Sequence, residues 1–275
     1  MARQNYFDIL NRMEFDPQRE LKNLVDLLEV ERNFKSIYYE TSLNSAISDN
    51  FLDYPNRSTF TSYSQMVEFV GLNIYNTTEQ LFVFSEFLVD IFCNLSEKFT
   101  EKESEFIQII FDNIKRFLEL SNHELITLDN GNKIIVEKNV YASEASQIVS
   151  ETSIEEAIKV LEYNHFSNKG NIQRKKEILI ALANYLEPFR RELNYSEELK
   201  DIMKVNNQKV IAFEKLFEMY NNFGLRHNNS NQYHLDLADD ELEQWYDDIY
   251  TSTLFVILSM DESRILSKLK TLREG

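Results

Sequence analysis

The chain has 275 residues, of which only five are glycine and three are proline, against about 19 and 14 at ordinary usage. Its formal net charge is −17, from 29 basic and 46 acidic residues, and 43% of it is hydrophobic with 13% aromatic. Sheets joined by tight turns need glycine at positive φ. The GxGxxG, GxxxxGKS/T and GxSxG fingerprints of nucleotide sites and hydrolases are absent. Apolar content this high excludes wholesale disorder, and the negative field works against broad coating of a polyanion while leaving room for a small local RNA site.

The single cysteine, Cys93, has no intramolecular disulfide partner and fits a reducing compartment. The first residues carry no signal-peptide apolar run, and the most apolar stretch, Leu81 to Leu95, contains Glu86 and Asp90. The expectation is a cytoplasmic, soluble protein with no membrane partner.

In chain order, residues 1–45 read as helix, with Asp16 as N-cap, Pro17 at the first helical position, and Leu21, Leu24, Leu28 and Glu31 along one stripe. Residues 46–64, rich in Asp, Asn, Ser and Thr, read as a loop. Thr77-Thr78-Glu79 opens a helix whose Leu81, Phe84, Leu88, Ile91 and Leu95 step by three and four, and another spans roughly 100–120 with Phe106, Ile110, Phe117 and Leu120 inward. The period then changes. Residues 124–128 and 133–137 are short apolar runs around Asp129-Asn130-Gly131-Asn132, which predicts a β-hairpin.

Residues 139–153 look like a connection. Ser153 and Glu156 have capping-box spacing before a helix from Ile154 to Tyr163. A long helix runs from about Ile172 to Leu193, with Leu179, Leu182, Leu186, Phe189 and Leu193 on one face and Pro188 set to kink or end it. Another covers about Gln208 to Asn222, presenting Val210, Phe213, Phe217 and Tyr220, with Gly224 suited to a left-handed cap. The last begins near Asp239, with Leu242, Tyr246, Ile249, Thr253 and Val256 inward. The expected class is mainly α: an N-terminal helical region over 1–122, a β-hairpin and linker over 123–153, and a C-terminal antiparallel helical bundle over 154–275.

Chemistry-bearing residues concentrate in that last part. His227 and His234 lie seven positions apart with no thiol near, a poor pattern for a metal, and no cofactor motif is present. Metal-free RNA cleavage needs a base for the 2′-hydroxyl, an acid for the leaving oxygen and a cation for the phosphorane charge, types that Arg226, His227 and His234 supply in one loop. The alternative is that Arg226 caps carbonyls of the preceding helix. Arg174-Lys175-Lys176 and Arg190-Arg191 could add RNA-binding charge, or could pair along a solvated helix face with Glu177, Glu187 and Glu192. The acidic run from Asp236 to Asp248 lacks EF-hand spacing and complements a helix dipole. Trp245 reads as core or interface rather than as a stacking platform.

The helix bearing residues 174–187, the helix ending at Leu216 to Asn222, the loop Leu225-Arg226-His227-Asn228 and the closing apolar helix together resemble a HEPN domain of bacterial abortive-infection proteins, the AbiJ group. The resemblance covers about a third of the chain. It implies a helical bundle that forms a homodimer, with a metal-independent ribonuclease site at the interface. In that family an Arg is followed by a polar residue, then by a His after four to six residues. Arg226 and His227 match the first two positions, and His234 follows Arg226 after seven. The implied roles are phosphate binding for Arg226, substrate orientation for His227 and base for His234. RNA is the implied substrate, and the implied setting is phage defence or toxin action with a phage-derived or antitoxin protein partner. The rival reading is a catalytically silent helical interaction or regulatory module of such a system.

Overall fold

The computed structural model describes residues 14–36, 39–72, 77–128, 130–226 and 237–274. The protein is mainly α-helical with small two-stranded antiparallel sheets. It divides into two compact units, residues 1–127 with 131–135, and residues 128–130 with 136–275.

In the first unit α1 (Pro17–Glu29) opens as its sequence dictates, the Asp16 carboxylate accepting from the N–H groups of Gln18 and Arg19 at 3.1 Å each. The three–four apolar spacing stops at Leu28, and the chain turns into β1 (Arg32–Ser36) and β2 (Tyr39–Thr41) rather than continuing as helix to residue 45. The expected loop after residue 46 instead begins inside α2 (Leu43–Asn50), capped by Ser42, because Leu43, Ala46 and Ile47 form a buried triplet on one face. Next come α3 (Tyr63–Leu72), α4 (Thr77–Asn94) and α5 (Glu101–Leu120). The α4 stripe from Leu81 to Leu95 is buried as its spacing requires, whereas Leu120, the last residue of α5, is exposed. A closed capping box starts α5: Glu103 N–H donates to Thr100 Oγ1, and Thr100 N–H donates to the Glu103 carboxylate. Buried Glu20 is neutralised by Arg19 and by Arg116 of α5.

The predicted hairpin forms from β3 (His123–Thr127) and β4 (Lys133–Glu137), with Gly131 at φ 86° in the turn. In the second unit α6 (Val140–Ser150) replaces the expected connection, since Ala142, Ala145 and Val149 make a narrow buried face and Asn139 caps the helix. At α7 (Ile154–Glu162) the Ser153 hydroxyl donates to the Glu156 carboxylate instead of accepting from the backbone, so the expected capping box does not close.

The core of this unit lies between α8 (Ile172–Leu186) and α12 (Asp239–Glu274), with α6, α7 and α11 (Ile211–Asn222) packed around them. Pro188 stops α8, and a 3-10 turn over Glu187–Phe189 leads into α9 (Arg190–Tyr195) and α10 (Glu197–Ile202). A two-residue hairpin follows, β5 (Val205–Asn206) with β6 (Lys209–Val210), turning through Asn207 and Gln208 at positive φ. Phe213, Phe217 and Tyr220 of α11 are fully buried, and the Tyr220 hydroxyl lies 2.6 Å from Thr253 Oγ1 of α12. Among the described residues no helix is long and apolar enough to cross a membrane.

Candidate functional site

Two chain breaks build the candidate site. The first is the end of α8, where Pro188 lets Glu187 and Arg190 leave the line of the helix. The second is the end of α11. Gly224, at φ 66°, allows Leu225 N–H to donate to Tyr220 C=O at 2.9 Å, a Schellman cap that buries Leu225. The next residue is Arg226.

Arg226 Nη2 lies 2.7 Å from Glu187 Oε2, and its side chain is 10% exposed. This is an ion pair without hydrogen-bond alignment, since that carboxylate oxygen has no hydrogen-bond partner among the described residues. The Arg226 guanidinium is 5.7 Å from the Phe217 ring centroid, and that of Arg190 is 4.7 Å from the same ring. One buried phenyl ring thus carries two guanidiniums, one from the loop after α11 and one from α9.

Arg190 also makes a fork with Glu214. Its Nη2 donates to both carboxylate oxygens at 3.2 and 3.0 Å, and its Nε donates at 3.2 Å. Lys209 Nζ reaches the same carboxylate at 3.2 Å and Asn194 Nδ2 at 2.7 Å. Burial pushes the Glu214 carboxyl up, but Arg190 and Lys209 outweigh that and hold it below the usual carboxylate range. Around this clamp lies a cavity of about 580 Å³ lined by Glu187, Arg190, Arg191, Asn194, Tyr195, Lys209 and Glu214. Arg191 is exposed and forms no ion pair among the described residues.

The remaining sequence-predicted residues sit elsewhere. Arg174, at the start of α8, pairs with Glu162 and with Glu177 at 3.1 Å. Lys175 is 8% exposed and lies 2.7 Å from both Glu243 Oε1 and Asp247 Oδ1. Half-buried Lys176 stands beside them. The rise of α8 separates these three from Arg190 by roughly 20 Å along the axis. The structure therefore brings Arg226, Arg190 and Arg191 to one end of α8 and leaves the 174–176 cluster at the other. His227 and His234 lie outside the described residues. Among the described residues no histidine lines the cavity, and no group of three His, Cys, Asp or Glu side chains could hold a metal ion.

Trp245 is 39% exposed and packs at a tilt of 38° against Phe223 with centroids 5.2 Å apart, at the rim of a second, apolar cavity of about 480 Å³. Glu214, Lys209, Asn194 and Tyr195 were not foreseen as site residues. Nothing in their local spacing marks them as a site. No protein-family model, curated protein or solved structure matches the chain.

Proposed function

We propose that this chain is a HEPN-type, metal-independent endoribonuclease acting as a phage-defence or toxin-like effector in the cytoplasm. It would work as a homodimer, with a phage-derived or antitoxin protein as its regulatory partner. The observation that supports this reading is the placement of Arg226 next to a cavity lined by Arg190 and Arg191, with Glu187 both the partner of Arg226 and part of the cavity wall. In the proposed reaction His234 takes the proton of a ribose 2′-hydroxyl, whose oxygen attacks the adjacent phosphorus. The bond to the 5′-oxygen breaks, leaving a 2′,3′-cyclic phosphate, and the departing 5′-oxygen takes a proton from solvent to become a 5′-hydroxyl. Arg226 exchanges Glu187 for the phosphate oxygens and stabilises the charge that builds on them. His227 orients the substrate, and Arg190 and Arg191 hold neighbouring phosphates.

The test is incubation of the purified protein with total RNA in the presence of a chelator, comparing the wild type with Arg226→Ala and His234→Ala. Cleavage by the wild type and its loss in both variants supports the site, while equal cleavage by all three removes it. A second reading rests on the burial of Arg226 against Glu187 and on the engagement of Arg174 and Lys175 by carboxylates. These are features of a catalytically silent helical interaction or regulatory module. Absence of cleavage by the wild type favours it.

A further inference from the structure

The cavity beside Glu214 has features that a general RNA-binding surface does not need. It is concave, and its volume of about 580 Å³ falls in the range of small-ligand sites, roughly 300–1,000 Å³. Its donors are fixed in advance: the Glu214 carboxylate holds Arg190 by a two-pronged contact and also holds Lys209 and Asn194. That clamp leaves Arg190 Nη1, the remaining Lys209 protons and the whole Arg191 guanidinium free of Glu214. A planar guanidinium presents paired donors that match phosphate oxygens. Tyr195, 53% exposed and with the Lys200 ammonium 5.4 Å from its ring centroid, places an aromatic ring on the same rim. The buried carbonyl oxygen of Asn194, in the same wall, has no hydrogen-bond partner among the described residues, so acceptor capacity remains where the cations converge.

Charge decides the size of the ligand. Three cations and two carboxylates line the cavity, for a local balance of +1, on a chain whose net charge is −17. A long polyanion meets the whole negative field, whereas a ligand with one phosphate meets mainly the local cations. An aromatic base stacked on Tyr195 adds attraction that does not depend on charge.

We propose that this cavity binds a small phosphorylated ligand of the nucleoside monophosphate class, the phosphate taken by Arg191, Lys209 and the free edge of Arg190, and the base stacked on Tyr195. The binding does not depend on the ribonuclease reading. If both hold, the ligand occupies the cations that would engage RNA and crowds Glu187, the partner of Arg226, so it acts as an inhibitor.

The test is calorimetric titration of the full chain with adenosine 5′-monophosphate, adenosine, inorganic phosphate and a ten-nucleotide single-stranded RNA, in chelator. The expected result is that the monophosphate binds at least tenfold more tightly than adenosine or phosphate, and more tightly per site than the oligonucleotide. Arg191→Ala should weaken the monophosphate at least tenfold, and Tyr195→Ala should reduce it to the level of phosphate. Both side chains are exposed, so melting curves matching the wild type separate lost binding from lost folding. Equal affinity for adenosine and its monophosphate, phosphate binding as tightly as the monophosphate, or indifference to Arg191→Ala each overturns the proposal. Preference for the oligonucleotide overturns it in favour of an RNA groove. Because the readout is heat of binding, loss of RNA cleavage in the Arg226→Ala variant leaves this result untouched.

Discussion

Lys175 offers the sharpest test of how the second unit is held together. Its ammonium is almost fully enclosed, 2.7 Å from carboxylate oxygens of both Glu243 and Asp247, and 5.4 Å from the Tyr163 ring centroid. Lys175→Met keeps the aliphatic stem and removes the charge, so little cavity is created. Glu243 then retains the Gly170 N–H at 2.7 Å and the nearby charge of Lys169, and Asp247 retains the Tyr163 hydroxyl at 2.8 Å. Breaking a fully buried pair costs about 3–5 kcal/mol. Glu243 is 21% and Asp247 51% exposed, and water recovers part of that loss, so we expect about 2 kcal/mol at pH 7.

The pH dependence gives the second half of the test. Burial pushes the Glu243 carboxyl up, but the Lys175 hydrogen bond, the Gly170 N–H and the nearby positive charge pull it further down, to a net value below normal. A carboxyl lowered by folding contributes stability that is complete above its unfolded value, about 4.3, and that is lost as pH falls through the lower folded value. The difference between wild type and Lys175→Met should therefore be largest at neutral pH and shrink as Glu243 protonates. Urea unfolding followed by the fluorescence of the single tryptophan, Trp245 on the same helix, measures both points. A difference below about 0.5 kcal/mol at pH 7, or one that is unchanged at pH 3.5, refutes the buried-pair account.

Phe217→Ala should cost about 3–5 kcal/mol, since it empties a fully buried site. It should also loosen Arg190 and Arg226, which share that ring, and urea unfolding together with RNA cleavage checks both effects. Gly224→Val places a β-branched residue at φ 66° and should cost about 1–2 kcal/mol or more, read by thermal melting. Thr100→Ala removes one half of a closed capping box and should cost about 1 kcal/mol. Ser153→Ala removes a hydroxyl that makes no contact with the helix backbone, so its melting temperature should stay close to that of the wild type.

Periodicity carried the longer helices in which large apolar residues recur over several turns. Leu81 through Leu95, Leu179 through Leu186, and Leu242 through Val256 all face inward as their spacing requires. It failed where the buried face is small or short. The Ala142, Ala145, Val149 face of α6 and the Leu43, Ala46, Ile47 triplet of α2 are concealed among polar neighbours. Capping chemistry was legible at Asp16 and Gly224. It was misread at Ser153, where a neighbouring carboxylate captured the hydroxyl.

The candidate site divides in the same way. Arg226, Arg190 and Arg191 stood out as cations beside helix breaks, but Lys209, Asn194 and Glu214 did not, since only the packing of α9 against α11 assembles them. Sequence alone determined the mainly helical class, most inward positions of the long helices and the breaks at Pro188 and Gly224, because these depend on local spacing and on backbone angles. Tertiary structure decided which of 46 acidic residues each cation meets. Charge pairing requires approach within a few ångströms, and residues such as Arg190 and Glu214, or Lys175 and Asp247, reach that distance only after distant helices dock.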